Sequence, residues 1–222
     1  MMEIIDELLS SRRVGYRNSI SNRGDWEDKG IDNALQQPSL LVRFRKTLRF
    51  VNSSVDTSTL KRSTILDAGE YNPLSKWLRE LHGITVQNTP PDLDFDHWHK
   101  SRTVLGQFDY IFAFEIIEHL MNPLAFLELL KSCMKENARI FLSTPFDRPR
   151  ILWSKYHVTE YFPDKIELMA RKAGLCVKRY SCVHAYSWKS AFLGVRPFLR
   201  WIWFERIMLF ELAKELESFE KS

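Results

Sequence analysis

One stretch of the chain decides the fold: Phe108-Asp109-Tyr110-Ile111-Phe112-Ala113-Phe114-Glu115-Ile116-Ile117-Glu118-His119-Leu120. Its first half is a continuous apolar run of the length of a buried strand. Its second half turns polar, with Glu115, Glu118 and His119 close behind the strand. Asn122-Pro123 follows, the pair expected where a helix begins, because asparagine is a favoured N-cap and proline suits the first helical position. The stretch therefore predicts a strand, a polar turn and a helix.

The same alternation of short apolar runs and longer amphipathic segments continues on both sides of this stretch. The predicted strands span residues 64–69, 84–86, 110–114, 139–145 and 175–177. The predicted helices span residues 74–81, the segment after Asn122-Pro123, and residues 163–173, which end at Gly174. Strands that alternate with helices form a parallel sheet with crossover helices. We therefore predict an α/β fold with a doubly wound, mostly parallel sheet.

The chain is long enough for one substantial core, since 45% of its 222 residues are hydrophobic, and we expect one domain with two extensions. Residues 1–60 are predicted to be a helical N-terminal extension, because apolar residues recur at helical spacing after Pro38. Residues 61–183 are the predicted α/β domain, and residues 184–222 a C-terminal helical extension rich in aromatic residues. The net charge of +4 is small and favours neither nucleic acid nor anionic lipid as a partner.

Cysteine content and the N-terminus indicate the compartment. The three cysteines are an odd number without a CxxC pair, which argues against a disulfide framework and a cysteine zinc site. Residues 1–7 carry acids where an export signal would have basic residues and an apolar run, so we expect a cytoplasmic location.

Polar residues follow the predicted strands at the edge where α/β sheets bind ligands. After the first strand come Asp67, Gly69, Glu70 and Asn72; after the second come Asn88, Thr89, Asp92 and Asp94; after the next come Glu115, Glu118 and His119. A carboxylate at this edge can accept hydrogen bonds from ribose hydroxyls, and a glycine lets the backbone approach a ligand closely. Asp67 and Glu70 are equally compatible with capping the following helix.

Three segments, in the family's order, resemble the class I S-adenosylmethionine-dependent methyltransferases that act in ubiquinone and carbohydrate O-methylation. Residues 65–69 (ILDAG) are similar to the family's first motif, a strand ending in LDxG. Residues 108–123 closely match its FDxIxxxEVIEHLxNP segment, which is the specific one. Residues 157–162 with 173–175 resemble its late HxxEF…AGF segment. The resemblance covers residues 62 to 180 and implies a Rossmann-like methyltransferase fold with S-adenosylmethionine as cofactor.

The resemblance implies roles for particular residues. Asp67 and Gly69 would lie beside the methionine part of the cofactor, and Glu115 near its sulfonium. The cofactor-binding set it implies is completed by Glu70, Asn72 and Phe114. Glu118 and His119 are the catalytic candidates; His119 either polarises a substrate hydroxyl or only caps a helix. No metal site is expected.

Two departures from the family pattern stand out. The usual GxGxG loop is here Gly69-Glu70-Tyr71-Asn72-Pro73, so the loop must follow another path or bind the cofactor less closely.

About twenty residues separate the second predicted strand from Phe108, fewer than a crossover helix and another strand need, so one of them is expected to be missing. Pro90 and Pro91 replace the acid after the second strand; Asp92 or Asp94 could supply that carboxylate, or form a solvated turn.

The C-terminal segment 198–210 is aromatic-rich, but charges interrupt it well short of the roughly 20 apolar residues of a membrane span. Met208, Leu212, Leu216 and Phe219 keep helical spacing. Two interpretations stay open. The helix packs on the sheet or on a second subunit, which would make a homodimer, or it lies on an anionic membrane with Arg196, Arg200 and Arg206 facing headgroups.

We predict methyl transfer from S-adenosylmethionine to an oxygen atom of a small-molecule, carbohydrate or lipid-linked acceptor. The altered glycine loop and the short crossover leave a second hypothesis open, an inactive methyltransferase-like scaffold that binds a partner protein. A nucleic-acid substrate is not expected, since the sequence has neither a base-flipping NPPY-type motif nor a concentrated basic stripe.

Overall fold

The computed structural model describes residues 28–89, 93, 106–147, 157–184 and 206–215. The strands are β1 (Ile65–Asp67), β2 (Gln87–Asn88), β3 (Phe108–Phe114), β4 (Met134–Pro145), β5 (Leu175–His184) and β6 (Arg206–Lys214). The helices are α1 (Asp28–Leu35), α2 (Pro38–Asn52), α3 (Thr57–Arg62), α4 (Pro73–His82), α5 (Pro123–Ser132) and α6 (Pro163–Lys172), with a 3-10 turn at Ile117–His119.

These strands form one sheet with the order β2-β1-β3-β4-β6-β5. β1 pairs in parallel with β2 and β3, and β3 pairs in parallel with β4. β6 lies between β4 and β5 and is antiparallel to both. Only β6 runs against the others, so the prediction of a mostly parallel α/β sheet is confirmed.

Successive strand residues point to opposite sides of the sheet, so both sides carry apolar side chains. Helices cover both sides. On one face, Ile111 and Ala113 of β3 pack with apolar residues of α5 and α6. On the other, Phe112 packs with α2 and α4, through residues that include Phe44 and Trp77. The predicted N-terminal helices therefore exist from residue 28 onward, and α2 contributes directly to the core.

Two helices that follow strands begin in the same way, with asparagine as N-cap and proline as first helical residue. Asn72 accepts hydrogen bonds from the backbone N–H of Leu74 and Ser75. Asn122 does the same for Ala125, as the sequence predicts for α5. The polar run before β1 is also partly helical, because Asp56 caps α3. Residues 57–59 are thus the first turn of a helix.

The second strand is displaced from its predicted position at residues 84–86. Gly83 adopts a left-handed φ of 62° and ends α4. The N–H of Gly83 donates to the carbonyl of Arg79, the bond of a left-handed cap, and the N–H of Ile84 donates to the carbonyl of Leu78, so Ile84 still belongs to the helix end. Pairing with β1 begins only at Gln87. Between β2 and β3 only Thr89, Leu93 and residues 106–107 are described, and among the described residues β2 is the edge strand on that side of the sheet.

The predicted C-terminal helix is wrong where the chain is described. Residues 206–214 form strand β6, although Met208 and Leu212 have helical spacing. The cause is burial on both faces: the six residues from Ile207 to Leu212 are all buried, and an interior strand reads as a continuous apolar run. Such a run cannot be told from a buried helix by periodicity alone.

The strand has two consequences for the sequence predictions. The sheet extends beyond residue 183, the predicted end of the α/β domain, because β6 completes it. Arg206 begins an interior strand rather than a helix on a membrane, and the predicted interfacial helix is excluded there. Arg196, Arg200, Leu216 and Phe219 lie outside the described residues. Among the described helices, none has the length and apolarity needed to cross a membrane.

Candidate active site

A cavity of about 580 Å³ lies at the carboxyl ends of β1, β3 and β4. Its lining includes Asp67 at the end of β1, Gly69 just after β1, Glu115 and His119 after β3, and Ser143 of β4. The volume is that of a cofactor or small-molecule site. The structure thus brings the residues predicted after the first and third strands together around one space. Asp92 and Asp94, predicted for the same site, lie outside the described residues.

One side of the cavity, called the loop wall here, consists of residues 67–75 with Asn88 and Thr89. Asp67 stands at its centre and is 2% exposed. Its Oδ2 accepts hydrogen bonds from the Ser75 hydroxyl at 2.6 Å, from Asn72 at 3.1 Å and from Asn88 at 3.4 Å. All three donors are neutral, and none of the three bonds uses Oδ1.

The environment of Asp67 changes its acidity. Burial raises its pKa, because a carboxylate loses hydration in the interior, and the hydrogen bonds from Ser75, Asn72 and Asn88 lower it by a smaller amount. The result is a pKa of about 6. A buried carboxylate without a cationic partner among the described residues favours a ligand that brings a positive charge.

Gly69 adopts a φ of 108°, which side-chain-bearing residues rarely adopt. It is fixed to the neighbouring strand end by two bonds: its N–H donates to the Thr89 hydroxyl at 2.7 Å, and its carbonyl accepts from the Thr89 N–H at 2.9 Å. A Cβ at Gly69 would meet only Ile116, at 3.5 Å, so backbone conformation rather than lack of space requires glycine here.

The loop residues that replace the family's other glycines have structural roles. Tyr71 turns towards α4, where Arg79 donates to its hydroxyl at 2.7 Å and lies 5.1 Å from the ring centroid. Pro73 is the first residue of α4. Gly69 is the sole residue of the loop with positive φ, so the replacements need no glycine conformation. The altered loop sequence is therefore compatible with a cavity that can hold a ligand.

The other residues predicted on this side line the cavity in different ways. Asn72 uses its Oδ1 to cap α4 and its Nδ2 to donate to Asp67, so it positions the wall. Glu70 is half-buried and lines the cavity. Phe114, also in the lining, stacks on Phe112 with ring centroids 5.2 Å apart.

Glu115 is the one non-glycine residue with positive φ in the described chain, at 57°. Such a conformation costs about 1–3 kcal/mol and is maintained by surrounding contacts. Its Oε1 accepts from the Ser143 hydroxyl at 3.1 Å, and its Oε2 is 3.3 Å from Arg43 of α2. The strained backbone points to a functional position, since strain of this kind concentrates at ligand sites.

A second part of the cavity, called the histidine wall here, is lined by Glu118, His119 and His157, and Glu160 hydrogen-bonds to His157. The rings of His119 and His157 meet edge to face, 4.9 Å apart. Nε2 of His119 lies 3.7 Å from Oε1 of Glu118. Nδ1 of His157 lies 2.7 Å from Oε1 of Glu160, whose side chain is fully buried. Two predicted catalytic residues thus share a nearly buried site with a second histidine.

Backbone bonds fix the histidine wall. The carbonyl of Glu118 accepts from the N–H groups of Val158 at 2.8 Å and Thr159 at 3.3 Å, which joins the two segments. The Thr144 hydroxyl donates to Oε2 of Glu118 at 3.1 Å, from the neighbouring strand β4. The two histidines are therefore held against each other by the main chain and by β4.

Sequence reasoning missed Arg43, Ser143, His157 and Glu160 as site residues. His157 and Glu160 stand in the HxxEF-like segment, which could have indicated them as a pair. No signal in the sequence indicates Arg43, because it lies in the N-terminal extension and reaches the site only through the packing of α2.

Comparisons with known proteins indicate the family of the chain. Residues 61–193, more than half of the chain, match the family model of a methyltransferase domain. A search of curated proteins finds no match.

Solved structures share the fold at low identity. A Burkholderia thailandensis 1,6-didemethyltoxoflavin-N1-methyltransferase, with bound S-adenosylhomocysteine, is 11% identical with a TM-score of 0.55, over 92% of this chain and 89% of that chain. An S-adenosylmethionine-dependent methyltransferase from Archaeoglobus fulgidus is 13% identical with a TM-score of 0.52, over 82% and 97%. Magnesium protoporphyrin IX methyltransferase from Synechocystis PCC 6803, with bound S-adenosylhomocysteine, is 13% identical with a TM-score of 0.50, over 96% and 100%.

The sheet order, the cavity at the strand ends and the family match agree with the resemblance seen in the sequence. The chain belongs to the methyltransferase domain family and is an S-adenosylmethionine-dependent methyltransferase.

Proposed function

We propose that this methyltransferase transfers the methyl group to an oxygen atom of a small-molecule acceptor, with hydroxylated compounds such as carbohydrates or lipid-linked sugars as the acceptor class. The observation that carries the proposal is the histidine wall. Two histidines and a carboxylate, all nearly buried, face the same cavity as Asp67 and Gly69. Hydroxyl groups are weak nucleophiles until a proton is removed, and histidine is the usual group for that task near neutral pH.

The cofactor would lie against the loop wall. Gly69 supports this placement through its open left-handed turn, and Asp67 through a buried carboxylate with neutral donors only. Its Oδ1 is available for the α-ammonium of the cofactor. Glu115 offers a second carboxylate, near the sulfonium.

In the proposed reaction the acceptor oxygen forms a bond to the methyl carbon while the carbon–sulfur bond breaks. The electron pair of that bond stays on sulfur and leaves S-adenosylhomocysteine. The hydroxyl proton passes to a base of the histidine wall, for which His119 is the candidate. The protein contributes by orienting the two reactants and by excluding water.

Two measurements test the proposal. Calorimetric titration with S-adenosylhomocysteine should show one site per chain; no binding at millimolar ligand would overturn it and favour the scaffold hypothesis. Incubation with S-adenosylmethionine and a panel of phenols, catechols, sugars and amines should release S-adenosylhomocysteine with hydroxyl acceptors. Turnover with amines alone would contradict the oxygen acceptor.

Two histidine variants test whether His119 is the base. His119→Gln should lower turnover by about 10²–10⁴-fold, the usual contribution of general base catalysis, with little change in S-adenosylhomocysteine affinity. His82→Gln is the matched control, because the His82 ring meets Trp77 edge to face and His82 is not part of the cavity lining. Equal turnover of the two variants would remove His119 from the mechanism.

A further inference from the structure

We propose that Thr47 of α2 hydrogen-bonds the methyl acceptor and orients it, and that this acceptor is an uncharged compound with at least two hydroxyl groups. The inference rests on the proposed function, because it concerns an acceptor that is methylated on oxygen. Thr47 lines the cavity and is 7% exposed. It follows Arg43, another lining residue, by one helical turn, so the two side chains leave α2 on the same side.

The hydroxyl of Thr47 differs from the other buried serine and threonine hydroxyls in the described part of the chain. Four of these five hydroxyls bond to residues around the cavity: Ser75 to Asp67, Thr89 to Gly69, Ser143 to Glu115 and Thr144 to Glu118. Thr47 is the fifth, and its side chain forms no hydrogen bond with any described residue. It does not donate to a carbonyl of its own helix, as Ser53 does to Phe50 at the end of α2.

A ligand in the cavity is the partner that this hydroxyl requires. Burial of a hydroxyl without a hydrogen bond costs free energy, and valine would fill the same space without that cost. The other buried serines and threonines meet the requirement within the protein. Because Thr47 lines the cavity, a bound molecule is positioned to supply the missing bond.

Thr47 lies on the side of the cavity away from the loop wall. Arg43 pairs with Glu115, the residue directly after β3. The ring of Phe50 meets that of Phe141 in β4, with centroids 6.4 Å apart. Thr47 lies between Arg43 and Phe50 on α2, so it belongs to the β3–β4 side of the cavity, whereas the loop wall follows β1. With the cofactor on the loop wall, a ligand group that reaches Thr47 belongs to the acceptor.

The charges of the cavity indicate an uncharged acceptor. Its described lining has one arginine and four acidic residues: Arg43, and Asp67, Glu70, Glu115 and Glu118. The arginine is already paired with Glu115. A phosphate or carboxylate on the acceptor would meet an excess of like charge, which disfavours its binding. A hydroxyl both donates and accepts hydrogen bonds, so a second hydroxyl of the acceptor fits the hydroxyl of Thr47.

Two variants of the full chain test the role of Thr47. Thr47→Val removes the hydroxyl and keeps the shape, whereas Thr47→Ser keeps the hydroxyl. For acceptors with two or more hydroxyls, such as catechol and the sugars of the panel, Thr47→Val should lower kcat/KM by about 3- to 10-fold through a higher KM. This is the contribution of one neutral hydrogen bond. Thr47→Ser should restore most of the loss. For phenol, which has one hydroxyl, the three chains should have the same kcat/KM. Thr85→Val is the matched control, because Thr85 is exposed and is not part of the lining.

S-adenosylhomocysteine titration and urea unfolding of the same variants separate the possible outcomes. Thr47→Val should bind S-adenosylhomocysteine like the wild type and should unfold at the same or a higher urea concentration. Weaker S-adenosylhomocysteine binding would assign the hydroxyl to the cofactor, and a lower urea midpoint would assign it to the fold. Either result, or an equal loss of kcat/KM with catechol and phenol, would overturn the role of Thr47 and leave the proposed function standing.

The charge of the acceptor is tested with the wild type. Catechol should have a higher kcat/KM than 3,4-dihydroxybenzoate, and glucose a higher one than glucuronate. The reverse order would overturn the uncharged acceptor, and turnover of phenol alone would overturn the second hydroxyl. Turnover of amines alone, or of none of the hydroxyl compounds, would overturn the proposed function and this inference with it.

Discussion

Two buried carboxylates of this protein behave in opposite ways. Asp67 on the loop wall and Glu211 in strand β6 are both 2% exposed. Among the described residues Asp67 receives only neutral donors, and burial raises its pKa to about 6. Burial also raises the pKa of Glu211, but a hydrogen bond from Ser54 and the charges of Arg139 and Arg179 outweigh it, so its pKa is lowered.

The difference distinguishes a carboxylate whose charge is available to a ligand from one whose charge stabilises the fold. Glu211 forms ion pairs with Arg139 and with Arg179, and the latter donates to the carbonyl of Phe50 at the end of α2. Its charge is therefore used to join β6, β4 and the N-terminal helix. Asp67 has no cation among the described residues, and its charge is available to the cofactor. Perturbed carboxylates in clefts are functional candidates for this physical reason.

Asp67→Asn should produce the largest effect and should make the protein more stable. A pKa of about 6 in the folded state exceeds the ordinary value of 3.8. The stabilising contribution of protonated Asp67 is present below pH 4 and is lost as the pH rises through 6. The variant should therefore gain up to about 3 kcal/mol over wild type between pH 4 and 7. Urea unfolding at several pH values measures the gain.

The same variant, Asp67→Asn, should bind the cofactor more weakly. Removal of one charge from a buried pair costs about 2 kcal/mol or more, so affinity for S-adenosylhomocysteine should fall by about 30-fold or more. Wild-type affinity should itself rise by about tenfold from pH 5 to pH 7 as Asp67 ionises, whereas the variant should show no such rise. A variant that is stabilised but binds S-adenosylhomocysteine normally would contradict the role of Asp67.

Glu211→Gln should have the opposite effect on stability. The variant leaves Arg139 and Arg179 without their carboxylate, and the loss of a charged hydrogen-bond partner costs about 2 kcal/mol. Because the folded-state pKa is lowered, the contribution of Glu211 is present above its unfolded pKa of about 4.3 and is lost as the pH falls. S-adenosylhomocysteine affinity should not change. Glu167→Gln, in an exposed ion pair with Arg171, is the matched control and should change stability by less than about 0.5 kcal/mol.

The two walls of the cavity also differ in how far the sequence predicts them. Most of the loop wall is local: Asp67 ends one strand, and Gly69 and Asn72 follow it within five residues. A strand, a glycine and an N-cap each have recognisable chemistry, so these residues could be assigned before the structure. The histidine wall joins residues that are distant in the chain, and its second half, His157 with Glu160, is set by tertiary packing. Asp92 and Asp94 stay predictions.

Sequence-based prediction meets the same limit at two strands of the sheet, the interior strand β6 and the edge strand β2. Strands β1 and β3 lie where the apolar runs predict them, and β4 covers the predicted run at residues 139–145 but begins earlier, at Met134. β6 does not read as a strand, because an interior strand has no alternating pattern to separate it from a helix. β2 is short and starts late, since the cap of α4 takes the first residues of the apolar run. The positions of β2 and β6 therefore depend more on the elements that pack beside them than on local sequence propensity.

Gly69→Ala should separate backbone strain from ligand approach on the loop wall. Alanine at a φ of 108° should cost about 1 kcal/mol of stability or somewhat more. Gly106→Ala is the matched control: its φ is 77°, and nothing lies within 4 Å of a Cβ placed there. Both variants should unfold at lower urea concentration, but only Gly69→Ala should weaken S-adenosylhomocysteine binding. Equal binding by both would mean that the cofactor does not approach Gly69.

Arg43→Gln should have the smallest effect and should act on the charge of Glu115. Arg43 and Glu115 are 35% and 24% exposed, and such pairs contribute at most about 1 kcal/mol to stability. S-adenosylmethionine carries a sulfonium charge that S-adenosylhomocysteine lacks. If Glu115 lies near that sulfur, loss of the Arg43 charge should raise affinity for S-adenosylmethionine relative to S-adenosylhomocysteine by about 2- to 5-fold, the equivalent of a partly exposed charge pair. Glu115→Gln should shift the ratio of the two affinities in the other direction. A ratio that neither substitution changes would place the sulfonium elsewhere and would leave the strained backbone of Glu115 to the acceptor side of the cavity.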